Sequence, residues 1–209
     1  MDKTKVTSKR RLLLLSLGIS SIKQFVGESK GLKMAFITTA GNTYSNTWWV
    51  ASDRKKLKKL GFRLFELDIK DKNLNQLTKL LLDKDILYVA GGNSFYLLEK
   101  MHKSGMDKLL PRLLDKGIMY VGSSAGAVVV GTNLKPISLL DDPSKAELTS
   151  TKALGLVDFV PLPHYGEKEY AKEFKQIIKQ FGKKYKLVPI TNKQAIIVNG
   201  THYKVVNSV

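Results

Sequence analysis

Cysteine is absent from the 209 residues, which removes disulfides, thiolate metal sites and cysteine nucleophiles together. Histidine is scarce as well: the chain has only three, so any imidazole base comes from a short list and no closely spaced metal-ligand set stands out. Long apolar runs are missing. The nearest thing to one, Leu12 to Leu17 behind Lys9, Arg10 and Arg11, is too short to span a bilayer and leads into no clear small-residue cleavage pattern. It reads as a buried first strand, and the expectation is a cytoplasmic protein with no membrane association.

Acidic residues are outnumbered, 18 against 35 Lys plus Arg, for a net charge of +17. Such a field can draw nucleic acid or acidic ligands. The cations are spread over helix-like stretches such as Arg54 to Lys59 and Lys168 to Lys184, however, with no nucleic-acid-binding motif beside them. They read as solvated helix faces, and nucleic acid is not an expected partner. Length and the lack of an interdomain linker are those of one domain over residues 1–209.

What is present alternates. Apolar runs at Arg11 to Leu17, Lys33 to Thr38, Arg63 to Asp68, Asp85 to Ala90 and Ile118 to Gly122 are separated by amphipathic stretches at Ser20 to Glu28, Thr47 to Leu60, Asn73 to Leu82, Ser94 to Lys103 and Met106 to Lys116. Ser45 or Thr47 is the expected cap of the second helix. This pattern predicts an α/β fold: a mostly parallel, doubly wound sheet with crossover helices, its strands covered on both faces. After Ala127 a stretch with Pro136, Pro143 and adjacent aspartates reads as an excursion from the sheet. A further apolar run, Leu156 to Leu162, then leads to Pro163 and His164, and a basic amphipathic helix follows to Phe181. Asn199-Gly200 near the end predicts a C-terminal hairpin with a type I′ turn.

Gly122-Ser123-Ser124-Ala125-Gly126 fits the Gly-x-Ser-x-Gly turn from strand to helix, in which small flanking residues leave room for a strained, exposed serine. Ser124 is the candidate nucleophile, and the backbone N–H of Ala125 a candidate oxyanion donor. A serine needs a base. His102 sits on a charged helix and His202 beside the hairpin turn, whereas His164 emerges at the end of an apolar run, where α/β sites form. His164 is therefore the candidate base. A second turn, Gly91-Gly92-Asn93-Ser94, offers the Gly92 N–H as the other oxyanion donor if parallel strands bring it beside Ser124.

Together, Gly91-Gly92-Asn93-Ser94-Phe95, Gly122-Ser123-Ser124-Ala125-Gly126-Ala127 and Leu162-Pro163-His164-Tyr165 resemble the peptidase E family, the S51 serine peptidases that include aspartyl dipeptidase and cyanophycinase. The resemblance covers nearly the whole chain. It implies a class I glutamine amidotransferase-like fold with serine in place of the usual cysteine, and a serine exopeptidase or dipeptidase acting on small peptides, Asp-X dipeptides among them. A cyanophycinase-like amidohydrolase is the alternative, and a non-enzymatic basic binding module a second one. No cofactor or metal is implied, and a homodimer is an open expectation. Carried over by position, Ser124 is the nucleophile, His164 the base, Gly92 and Ala125 the oxyanion donors, and Asn93 and Ser94 substrate-binding residues. For the third triad member the resemblance favours Asp141, with Asp142 as its neighbour and Asp158 as a further candidate; a neutral group such as Asn192 is the competing assignment, because Pro189 to Lys193 offers no carboxylate. An aspartate-selective site requires a cationic pocket, to which no particular Arg or Lys is assigned.

Overall fold

The computed structural model describes residues 10–19 and 21–207. Lys9 and Ser20, placed by sequence in the basic N-terminal run and at the start of the first helix, lie outside the described residues.

The first two thirds of the chain form five strand and helix units. They are β1 (Arg11–Leu15), α1 (Ile22–Val26), β2 (Lys33–Ile37), α2 (Trp48–Lys59), β3 (Arg63–Leu67), α3 (Leu74–Leu81), β4 (Ile86–Val89), α4 (Ser94–Ser104), α5 (Met106–Asp115), β5 (Met119–Ser123) and the short α6 (Ala125–Val128). After an irregular stretch come β6 (Val160–Leu162), α7 (Ala171–Phe181), β7 (Leu187–Pro189), β8 (Gln194–Asn199) and β9 (His202–Asn207). Seven strands make one sheet in the order β3-β2-β4-β5-β1-β8-β9. The first five run parallel, and the hairpin β8–β9 adds antiparallel to β1.

Consecutive apolar residues suit these strands because each face of the sheet is covered. Leu12 and Leu14 of β1, with Leu87 and Val89 of β4, face a core shared with α3, α4, α5 and α7. Leu13 and Leu15, with Ile86 and Tyr88, face a second core built with Ile22 and Phe25 of α1 and Val50 and Leu57 of α2. The fold is thus α/β, mostly parallel and doubly wound. Among the described residues no helix is long and apolar enough to cross a membrane.

Two local expectations are corrected. Thr47 occupies the N-cap position of α2 but its side chain makes no capping bond; Asn46 Oδ1 accepts the Trp48 N–H instead, at 3.1 Å. In the hairpin, Asn199 pairs with His202, so the two-residue loop is Gly200-Thr201. Positive φ occurs there only at Gly200, the pattern of a type II′ turn and not of type I′.

The excursion after α6 leaves the main sheet and returns through β6, which pairs in parallel with β7 in a separate two-stranded sheet. Parallel strands all end on one edge, so the residues after β1, β2, β4 and β5 gather there. Glycine makes the approach close enough. A Cβ on Gly126 would lie 2.2 Å from Val89 O, and one on Gly122 would lie 2.3 Å from Gly126 O, so α6 packs backbone to backbone on β4 and β5. Gly126→Ala is expected to lower stability by about 1–3 kcal/mol or more, since neither backbone can retreat without disturbing the sheet. Denaturant unfolding checks this: the midpoint should fall, and an unchanged midpoint would show that the turn yields at no cost.

Candidate active site

Ser124 lies between the last residue of β5 and the first of α6, with φ 48° and ψ −109°. Only it and His164 among the described non-glycine residues have positive φ. Such a conformation costs of order 1–3 kcal/mol and persists only when its surroundings enforce it. Here the Ser124 N–H is tied to Leu15 O at 3.0 Å, while its carbonyl accepts the N–H groups of Ala127 and Val128 as α6 begins. The turn after β4 closes against it. A Cβ on Gly91 would come within 3.2 Å of Ser124 Cβ, and Gly92, at φ 147°, has Ala40 O where a Cβ would stand, 2.1 Å away. Neither the Gly92 nor the Ala125 N–H has an acceptor among the described residues.

His164 follows β6, and its Nε2 is 2.9 Å from Ser124 Oγ. On the ring's other side Nδ1 is 2.8 Å from Asn192 Oδ1. Ser16, fully buried just past β1, joins the two sheets at this point: its Oγ accepts the His164 backbone N–H at 2.7 Å and donates to Asn192 Oδ1 at 2.9 Å. These contacts determine the tautomer. A buried hydroxyl hydrogen needs an acceptor, and Asn192 is the only one that Ser16 has among the described residues, so the amide must turn its oxygen toward Ser16. The same oxygen faces Nδ1, which therefore carries the ring hydrogen. Nε2 is left with its lone pair toward the serine hydroxyl.

Asp141, expected to hold the imidazole, does not do so. Its Oδ2 accepts the Ser94 N–H at 2.8 Å. Burial raises its carboxyl pKa, opposed by the Ser94 hydrogen bonds and by the charge of His164. It therefore stands in the field of the ring without contacting Nδ1. The other candidates are used elsewhere. Asp142 caps a 3-10 turn by accepting the Ser144 N–H, Asp158 pairs with Lys186 at 3.0 Å, His102 bonds Asp107 at 2.9 Å, and His202 lies exposed on the edge strand β9. Asn93 and Ser94, expected to touch substrate, are each 1% exposed and absent from the cavity wall. Asn93 caps α4 through the Tyr96 N–H and donates to Asp142 O at 2.9 Å, so this turn braces the loop that carries Asp141.

Ser124 and His164 open into a cavity of about 340 Å³, a size ordinary for a small-ligand site. Its walls include Tyr44, Trp48, Trp49 and Tyr170, with Leu17 and Leu140. Trp49 is fixed by donating from Nε1 to Gly91 O at 3.1 Å and stands edge to face with both Tyr44 and Trp48. The charged lining is acidic: Asp53, Asp141 and Glu169, with no Lys or Arg among the described residues. The phenols of Tyr44 and Tyr170 are both held above the usual range, first by burial and then by neighbouring negative charge, that of Asp141 in each case and of Glu169 for Tyr170. Sequence reasoning missed Ser16, Asp53 and the aromatic wall. Position alone marked Ser16, as the residue after a strand whose end lies beside Ser124.

The strain at Ser124 has a measurable consequence. Glycine tolerates its φ freely but loses roughly 0.5–1 kcal/mol of chain entropy, less than the strain it relieves. Ser124→Gly should therefore unfold at a higher denaturant midpoint than Ser124→Ala, which loses the same hydrogen bond to His164 but keeps the strain; a lower midpoint would show that the turn is unstrained.

The family described as peptidase family S51 matches residues 14–206. An uncharacterised peptidase of Listeria innocua is 38% identical over 176 residues, 84% of each chain. The crystal structure of a Listeria monocytogenes protein provisionally assigned to peptidase E superposes with a TM-score of 0.88 at 34% identity, covering 95% of this chain and 98% of that one. A peptidase from an acI-B1 actinobacterium shares the fold at 20% identity, with a TM-score of 0.72 over 95% of this chain and 87% of its own. With nearly its whole length matched, the chain belongs to peptidase family S51.

Proposed function

We propose that this peptidase cleaves short peptides, as a serine exopeptidase or dipeptidase, through an acyl-enzyme on Ser124. The observation that carries this reading is the 2.9 Å contact between Ser124 Oγ and His164 Nε2, on a ring whose Nδ1–H is held by Asn192. As Oγ attacks the substrate carbonyl carbon, its proton passes to Nε2. The carbonyl oxygen becomes an oxyanion facing the N–H groups of Gly92 and Ala125, which have no competing acceptor among the described residues. Collapse expels the amine, which takes the proton from Nε2. A water molecule, deprotonated by the same nitrogen, then releases the acid and restores Oγ–H.

Asn192 holds the ring as a carboxylate would, and a neutral amide serves in this place in other hydrolases. It supplies no negative charge to the imidazolium. That falls to Asp141, whose carboxyl already senses the charge of His164. A cavity of about 340 Å³ is on the scale of a substrate of a few residues. An aspartate side chain would find no Lys or Arg in its lining among the described residues, so Asp-X selectivity gains no support from it.

A serine-directed fluorophosphonate should label Ser124. Ser124→Ala should abolish the labelling and lower kcat by about 10⁴-fold or more without unfolding the protein, with Ser123→Ala as control; undiminished labelling of Ser124→Ala would reject the nucleophile.

Asn192 is a positioning residue with its own test. Asn192→Ala should lower kcat by roughly 10²-fold or more, whereas Asn192→Asp keeps both acceptor contacts and adds an anion beside Nδ1. An anion favours the imidazolium, so the acid limb of the kcat profile should move to higher pH, by roughly 1 to 3 pH units. A profile that stays in place would mean that Asn192 does not hold the ring during turnover.

A further inference from the structure

The cavity contains a carboxylate that the proposed reaction does not use. Asp53, on α2 one turn beyond Trp49, is 5% exposed, yet it lines the cavity. Its Oδ2 accepts the Tyr88 hydroxyl at 2.6 Å, and its Oδ1 has no partner among the described residues. Lys56 acts on it only through its charge, with no ion pair to Asp53 among the described residues. That oxygen is not sealed from solvent but opens to the cavity, where a cationic group could meet a carboxylate that is otherwise largely buried. Burial indeed raises its pKa, with the Tyr88 bond and Lys56 pulling the other way. A raised folded pKa means stability that is fully present below the unfolded value and is lost as the pH rises through the folded one, so ionising Asp53 costs the free protein stability.

The surroundings specify the cation further. Tyr88, beneath Asp53, also neighbours Ser123, so the carboxylate lies close behind the turn that carries the nucleophile. Trp48 and Tyr44, 59% and 45% exposed, stand with Trp49 along the cavity wall. Exposed aromatic surface of this kind is unusual without a ligand to cover it, and indole faces attract ammonium and guanidinium groups. Asp141 and Glu169 add negative potential and would repel an acidic side chain.

From Asp53 and its aromatic approach we propose that this site selects short peptides whose acyl-side residue is lysine or arginine, with the cationic side chain reaching Asp53. The proposal rests on the reading of Ser124 as nucleophile only for which residue occupies the pocket.

The test separates the two. In full-length Ser124→Ala protein, binding of Arg-Ala, norleucyl-Ala and Asp-Ala is measured by calorimetry, and hydrolysis of the same dipeptides is followed with the wild type. Arg-Ala should bind roughly 10-fold or more tighter than either of the others. Adding Asp53→Asn, which keeps an acceptor for the Tyr88 hydroxyl, should bring Arg-Ala to the level of norleucyl-Ala and leave the latter unchanged. Trp48→Ala, at an exposed position, should weaken Arg-Ala by a few-fold relative to norleucyl-Ala. Tighter binding of Asp-Ala, or an arginine preference that survives Asp53→Asn, overturns the proposal; if that variant does not fold, equal loss of both ligands in Trp48→Ala overturns it. Arginine-selective, Asp53-dependent binding without hydrolysis of any dipeptide would instead uphold the pocket and reject the acyl-enzyme.

Discussion

One buried hydroxyl holds the site together. Ser16 Oγ accepts the backbone N–H of His164 and donates to the amide oxygen of Asn192. By doing both it joins the main sheet, which leads into Ser124, to the small β6–β7 sheet, which leads into His164. A hydroxyl suits the task because it accepts and donates at once. Neither an amine nor a carbonyl would satisfy both neighbours. Since the His164 backbone itself is held at φ 64°, the ring is located from its main chain as well as from Nδ1.

The charge of the molecule and the charge of its cavity have opposite signs. The chain is +17 overall, and many of its lysines lie on helix surfaces such as α2 and α7. The lining of the cavity has three carboxylates and no Lys or Arg among the described residues. At physiological salt an exposed charge is screened over about 8 Å, whereas buried groups are screened much less. The basic exterior therefore says little about what the cavity holds. The net charge is a property of the surface, and the charge of the cavity is that of three side chains in its lining.

How much of this the sequence revealed follows the range of the forces involved. The parallel strands were legible because burial on both faces demands runs such as Ile86 to Val89, and the Ser124 turn because only small residues fit where Gly122 and Gly126 meet backbone. The neighbour of His164 was only half legible: Asn192 was named as the competitor of Asp141, but the choice between them depends on register. β6 pairs Leu162 with Pro189, and the Tyr165 N–H reaches Ile190 O, which brings Asn192 alongside His164 from 28 residues away. Asp141 is nearer in sequence and attractive as a carboxylate, but its loop is held by Asn93 and Ser94. Those two residues were misread for a related reason: a Gly-Asn-Ser turn opening a helix suits a ligand and a cap equally well, and here the cap prevails.

An uncharged residue in the third place alters the proton inventory of the site. Where a carboxylate orients the imidazole, acid can disarm the pair by two routes, protonating the ring or protonating the acid that holds it. The contacts of His164 with Asn192 and Ser16 involve no group that gains a proton in mild acid. The hydrogen bonds that orient the ring thus outlast mild acid, and the carboxyl that acid neutralises nearby is Asp141, which lends charge to the site but holds no ring atom.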